Sequence, residues 1–155
     1  MLVMTTKIDW KKLAIVAAAV LLGILGLVLL LGGGDAEAAS ANFADNSARV
    51  EFLQGFGWEV ETTPAQSSQV RIPSESSEVF ERYNALQIQQ GYDLTDYAGK
   101  TVMRYVYTVT NYTGATEAVY ATLLVYKGAI IGGDVTDTSS GGVLQGFARK
   151  TQASE

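Results

Sequence analysis

The chain contains no cysteine and no histidine among its 155 residues. Without cysteine there are no disulfides, no thiolate catalysis, no zinc-thiolate site and no lipid attachment through an N-terminal cysteine. Without histidine, one chain cannot supply an imidazole base, a Ser-His-Asp triad or a histidine metal site. Any catalysis must therefore rest on carboxylates, Lys, Tyr, Ser or Thr. Charge is also sparse: 17% of residues are charged and 48% are hydrophobic. That composition is too apolar for a disordered chain, and part of the apolar content is concentrated at one end. The length suits one ordinary domain with an appendage.

The appendage is N-terminal. Residues 13–31, LAIVAAAVLLGILGLVLLL, hold nineteen residues without a polar side chain. At the helical rise this run spans roughly 28 Å, close to the ~30 Å hydrocarbon core of a bilayer. Lys7, Lys11 and Lys12 precede it, Trp10 stands as an interfacial anchor, and the acidic Asp35 and Glu37 follow. The lysines place residues 1–12 on the cytoplasmic side and direct the rest of the chain outward. The alternative is a cleaved signal peptide, since Ala36-Glu37-Ala38 and Ala39-Ser40-Ala41 are small-residue cleavage patterns. The apolar run exceeds the usual ~7–15 residues of a signal sequence, which favours an uncleaved single-pass anchor in the cell membrane.

Residues 32–44, GGGDAEAASANFA, form an expected flexible spacer. An extracytoplasmic domain over 45–149 and a short tail over 150–155 follow. From Asp35 onward 8 basic side chains face 15 acidic ones, a net charge of −7. With no basic run or basic-aromatic interleaving, nucleic acid is not an expected partner.

Within the domain, Asp45 or Asn46 caps an expected helix over 47–56 whose apolar side carries Val50, Leu53 and Phe56. Trp58–Glu61 alternates as a strand, and Val70–Ile72 is a second short strand ended by Pro73. Ser74 caps the next expected helix, with Val79, Tyr83 and Leu86 inward and Glu81, Arg82, Gln87 and Gln89 facing water. Gly91 ends it, and Tyr92, Leu94 and Tyr97 fold back on the core. Thr101–Asn111 and Ala118–Lys127 are rich in β-branched and aromatic residues and read as long strands. Lys127-Gly128 turns the chain into a third, Ala129–Val135. The expected fold is α+β: an antiparallel β-meander with about two helices packed on one sheet face. Its core is expected to include Trp58, Val79, Tyr83, Leu86, Leu123 and Val125.

The glycine-rich stretch VYKGAIIGGDVTDTSSGG, residues 125–142, is the one segment that invites a chemical reading. It lacks phosphate-loop spacing, since no G-x-G-x-x-G and no G-K-[ST] occurs there. As a calcium loop from Asp134 it offers Thr136 and Thr138 at the next ligand positions and Gln145 at the twelfth. Asp137-Thr138-Ser139-Ser140-Gly141 is similar to an aspartic-protease D-T-G-S, but Ser139 replaces the glycine. Hairpin chemistry suffices: Gly128 serves the turn, Gly132 and Gly133 permit a bulge or close backbone approach, and Asp134–Gly142 is a polar exit loop. Asp134 and Asp137 remain the site candidates, as a carboxylate pair for hydrolysis of cell-wall glycan or peptide if they face each other about 5–9 Å apart. Asp93 and Asp96 fit capping or solvated roles. The eight tyrosines look like a carbohydrate or peptide platform, but several occupy strand positions that cross-strand packing explains. Asn111-Tyr112-Thr113 is a glycosylation sequon. No metal or cofactor is expected.

The segments FLQGFGWEV, VRIPSESSEVFERYNALQIQQGYDLTDYAGKTVMRYVY and LLVYKGAIIGGDV together resemble one bacterial family. The matching features are Gly57-Trp58, Pro73, the run from Tyr83 through Gly91-Tyr92-Asp93-Leu94 and Tyr97 to Gly99-Lys100, and Gly132-Gly133-Asp134. The family comprises small extracytoplasmic domains of Gram-positive bacteria, grouped only as a domain of unknown function, and the resemblance covers roughly 50–147. It implies an anchored cell-envelope protein and carries no site residue with it. DLTDYAGKTV is also similar to a strand start in thioredoxin-like proteins, but without a cysteine pair no redox role follows. The expected function is a non-catalytic binding or regulatory module whose partner is an envelope protein or a peptide. A carboxylate-dependent cell-wall hydrolase is the alternative.

Overall fold

The structure, a computed structural model, describes residues 41–149. The expected span over 13–31, most of the spacer and the tail lie outside the described residues. Among the described residues no helix is long and apolar enough to cross a membrane.

The domain is built on a five-stranded antiparallel sheet whose spatial order equals its chain order. Helix α1 (Asn46–Gly55) comes first, then β1 (Gln66–Arg71), helix α2 (Glu78–Gln89) and a single 3-10 turn (Leu94–Tyr97). Strands β2 (Thr101–Thr108), β3 (Val119–Tyr126), β4 (Ala129–Asp137) and β5 (Leu144–Gln145) complete the meander. The α+β class holds; β1 takes in Val70 and Arg71 of the expected Val70–Ile72 strand but starts earlier, at Gln66, and β5 is added to the expected meander. Strand β1 is mostly exposed and polar, and β5 has only two residues, so neither carries an apolar alternation. Trp58–Glu61 is not a strand. It contributes one bridge, Val60 to Val109.

Side chains alternate across a strand, and the register therefore assigns faces. Tyr105 pairs with Leu123 and Tyr107 with Ala121, while Ala121 also pairs with Val135. These residues form one face, which α1, Trp58 and Phe147 close over. Arg104 pairs with Leu124 and Val106 with Thr122, and Thr122 pairs in turn with Asp134. These belong to the opposite face, where α2 and the 3-10 turn pack on Val102, Leu124 and Ile131. The expectation of two helices on one face is thus corrected: each face has its own helix. The reason lies in β3, where the adjacent Leu123 and Leu124 are 0% and 5% exposed. A strand apolar on both sides needs a cover on both.

Helix α2 begins later than expected. Ser77, not Ser74, caps it, accepting from the Phe80 amide at 3.2 Å, with Glu78 and Glu81 in the positively polarised first turn. Three nearby serines make this start ambiguous in the sequence. Val79, expected inside, is 79% exposed, whereas Gln87, expected in water, is 0% exposed. Tyr83 and Leu86 are half-buried, and Trp58, Leu123 and Val125 are buried as expected.

Lys127 and Gly128 form the β3–β4 turn, both at positive φ (48° and 78°), as a two-residue type I′ hairpin requires. Ile131 is an extra residue opposite the Leu124/Val125 step, a bulge that shifts the register just before the glycine pair. Strand β4 then continues through Asp137, so Asp134–Asp137 is ladder and not exit loop.

Candidate functional site

Helix α2 covers only one end of its sheet face. Beyond Tyr83 the face lies open, leaving a cavity of about 910 Å³ whose floor is β2, β3 and β4. Phe80, Val106, Leu124 and Leu144 supply apolar walls. Two charged side chains, Arg104 and Asp134, enter this lining from strands on either side of β3.

Asp134 is 5% exposed. Its Oδ2 accepts from the Tyr83 hydroxyl at 2.8 Å and its Oδ1 from the Thr136 hydroxyl at 2.7 Å. Burial pushes the carboxyl above its ordinary range, opposed by the Thr136 and Tyr83 hydrogen bonds and by the positive charge of Arg104. Burial likewise raises the Tyr83 phenol, and the negative charge of Asp134 adds to the rise. A carboxylate offers about four lone-pair sites, and here two are used.

Arg104 is half-buried and donates from Nη1 to Gln66 Oε1 at 2.9 Å. Among the described residues the only ion pair is Arg82 with Glu78, on the outer side of α2. Arg104 and Asp134 therefore share a cavity without pairing with each other or with another charge. Among the described residues that line the cavity, Asp134 is the one carboxylate. No group of three or more acidic side chains gathers as a metal site among the described residues.

The two expected site residues are not brought together. Asp134 and Asp137 stand three positions apart on β4, so their side chains leave opposite faces of the sheet. Asp137 accepts from the Ser139 amide at 2.8 Å and shapes the turn after β4. Asp93 also serves a turn: its Oδ1 accepts from the Thr95 amide and hydroxyl at 2.9 and 2.6 Å.

The glycine pair just before Asp134 works through close approach. A Cβ on Gly132 would lie 2.8 Å from Gln87 Oε1 and 3.3 Å from Leu94. On the other face, a Cβ on Gly133 would lie 2.1 Å from the Thr122 carbonyl oxygen and 2.4 Å from the Phe147 ring. Helix α2 and Phe147 thus close on β4 from both sides at its thinnest point. Strand β5 pairs only with Val135 and Thr136, so the β4 edge is open at Gly133. Two glutamines of the α2 end substitute for the missing strand. Gly133 N–H donates to Gln87 Oε1 at 2.8 Å, and Gln90 Nε2 donates to the Gly133 carbonyl at 3.0 Å. This seating fixes α2 above the sheet and carries Tyr83 to Asp134.

Tyr83, Arg104 and Thr136 are the site residues missed in the sequence. A signal existed for Arg104, a charge in the middle of TVMRYVYT, and for Asp134, a charge inside β4. Tyr83 shows none, since an inward tyrosine on a helix reads as core.

A helix-covered antiparallel meander with one half-open face defines a small α+β domain with a built cavity. The chain belongs to the family described as Domain of unknown function (DUF4830), which matches residues 52–135. The match takes in Tyr83, Arg104 and Asp134 and stops short of β5. No curated protein and no solved structure matches the chain.

Proposed function

We propose that the chain is a non-catalytic binding or regulatory module, held at the outer face of a Gram-positive cytoplasmic membrane by residues 13–31, with the α2-side cavity as its ligand site. The observation that carries this reading is the cavity of about 910 Å³ with the buried Asp134 on its floor and Arg104 across from it. Ligand sites are concave, mostly apolar and carry a few convergent polar groups, at volumes of about 300–1,000 Å³. Apolar walls with two charges that form no ion pair among the described residues fit that description. The lysine asymmetry around residues 13–31 supports an exported, anchored domain. A lone carboxylate in the lining supports binding over hydrolysis by an acid pair. The ligand is a peptide or a segment of another envelope protein.

Native mass spectrometry of the full-length chain, extracted from its own membrane in mild detergent, tests the reading. A small ligand should stay bound and be released intact. Leu144→Trp, a change at a half-exposed wall residue, should empty the site without unfolding the chain. Identical ligand-free spectra for both proteins, or a ligand recovered cleaved, would count against it.

A further inference from the structure

The charge arrangement of the cavity specifies more than an apolar ligand. Asp134 retains unused acceptor positions toward a cavity it lines, and its two partners are neutral hydroxyls. Among the described residues Arg104 has one hydrogen-bond partner, the neutral amide of Gln66, and a guanidinium carries five N–H donors. A buried charge without a counter-charge is costly unless something pairs with it. The two groups have opposite sign, line one cavity and do not pair with each other. Strand β3 lies between them and the register sets Arg104 opposite Gly132, two residues from Asp134, so their backbones stand about 12 Å apart.

We infer that the cavity binds a short zwitterionic peptide of two to three residues, with its ammonium group on Asp134 and its carboxylate on Arg104. Such a chain spans about 7–10 Å, which the reach of the Asp134 and Arg104 side chains extends to the separation of their backbones. The arginine fork suits a terminal carboxylate, which it holds through two parallel hydrogen bonds. Phe80, Val106, Leu124 and Leu144 then receive apolar side chains of the peptide. Burial holds the Asp134 carboxyl above its ordinary range, and an ammonium group beside it would bring it down again. The inference rests on the binding reading above and gives that site its ligand class.

Isothermal titration of the full-length chain in detergent with Ala-Leu, N-acetyl-Ala-Leu, Ala-Leu-amide and the doubly capped peptide tests it. Capping either end should weaken binding at least tenfold. Asp134→Asn should weaken Ala-Leu to a similar degree and become indifferent to acetylation. Arg104→Gln should become indifferent to amidation. A residue with a merely structural role would not exchange its effect with one particular cap, and circular dichroism of both variants shows whether they fold. Equal affinity for the free and doubly capped peptides would overturn the zwitterion while leaving the cavity a ligand site. Binding of none of the four would overturn the peptide class, and the mass-spectrometric test then decides separately whether the chain is a binding module.

Discussion

Gly133 and Asp134 are neighbours on β4 whose requirements come from opposite sides of the sheet. A side chain at Gly133 would meet a backbone oxygen and a buried phenylalanine ring, and neither has room to withdraw. Gly133→Ala is therefore expected to cost about 1–3 kcal/mol or more, as overpacking does. A thermal melt checks it, and an unchanged midpoint would mean that Phe147 is not seated there. Asp134 has the reverse character, a buried charge whose carboxyl sits above its ordinary 3.8. Between 3.8 and that higher value the folded chain holds more protons than the unfolded one. Stability contributed by this group therefore falls as pH rises through the window. Asp134→Asn removes the penalty, so the variant should be at least as stable as the parent at neutral pH and lose less stability above about pH 4. Urea melts across that range measure it. An unchanged slope would show that the Asp134 carboxyl is not desolvated. Asp93 works with the opposite sign, since hydrogen bonds from Thr95 and Asn84 hold it below its ordinary range and its contribution is lost as pH falls.

Helix α2 shows what periodicity can and cannot reveal. Strands β2, β3 and β4, their antiparallel order and the Lys127-Gly128 turn are legible because β-branched and aromatic residues leave few alternatives there. The inward side of α2 is not legible, because its deepest residues are amides. Asn84 accepts from the Leu94 amide at 2.8 Å and donates to Asp93, while Gln87 takes the place of a strand neighbour for Gly133. Counting apolar residues assigns such positions to water and brings Val79 inward instead. The split of the helices between two faces was missed for a related reason. The second apolar face of β3 shows in the sequence, but α2 is seated over it by glutamine contacts to β4 and leaves part of it to the cavity. Gln87→Ala should then cost about 1–3 kcal/mol by stranding the Gly133 N–H. Val79→Thr should stay within about 0.5 kcal/mol, as exposed substitutions do. Chemical denaturation of both variants compares them, and equal costs would return Gln87 to the solvent side.

For the whole molecule, the proposed placement comes from the sequence and the cavity from the structure. Residues 13–31 and the lysines before them predict a cytoplasmic N-terminus and an outward domain. Protease added to spheroplasts should release a fragment that begins between Gly32 and Phe43, whereas a fully protected domain would reverse the orientation. The site itself could not be read from the sequence. Asp134 was visible as a charge, but Asp137 was its expected partner, and alternation along β4 sends the two apart. Arg104 comes to Asp134 only through the register of three strands, and Tyr83 only through the seating of α2 on the glycine pair. The α2 face, and not the sealed face under α1, is the proposed ligand site. Amide chemical-shift mapping of the full-length chain in detergent, titrated with Ala-Leu, tests this most directly. Shifts should gather at Tyr83, Arg104, Thr122, Asp134 and Thr136 and leave Leu53, Trp58 and Phe147 unmoved. Shifts centred on Trp58 and Phe147, or no shifts at all, would contradict it.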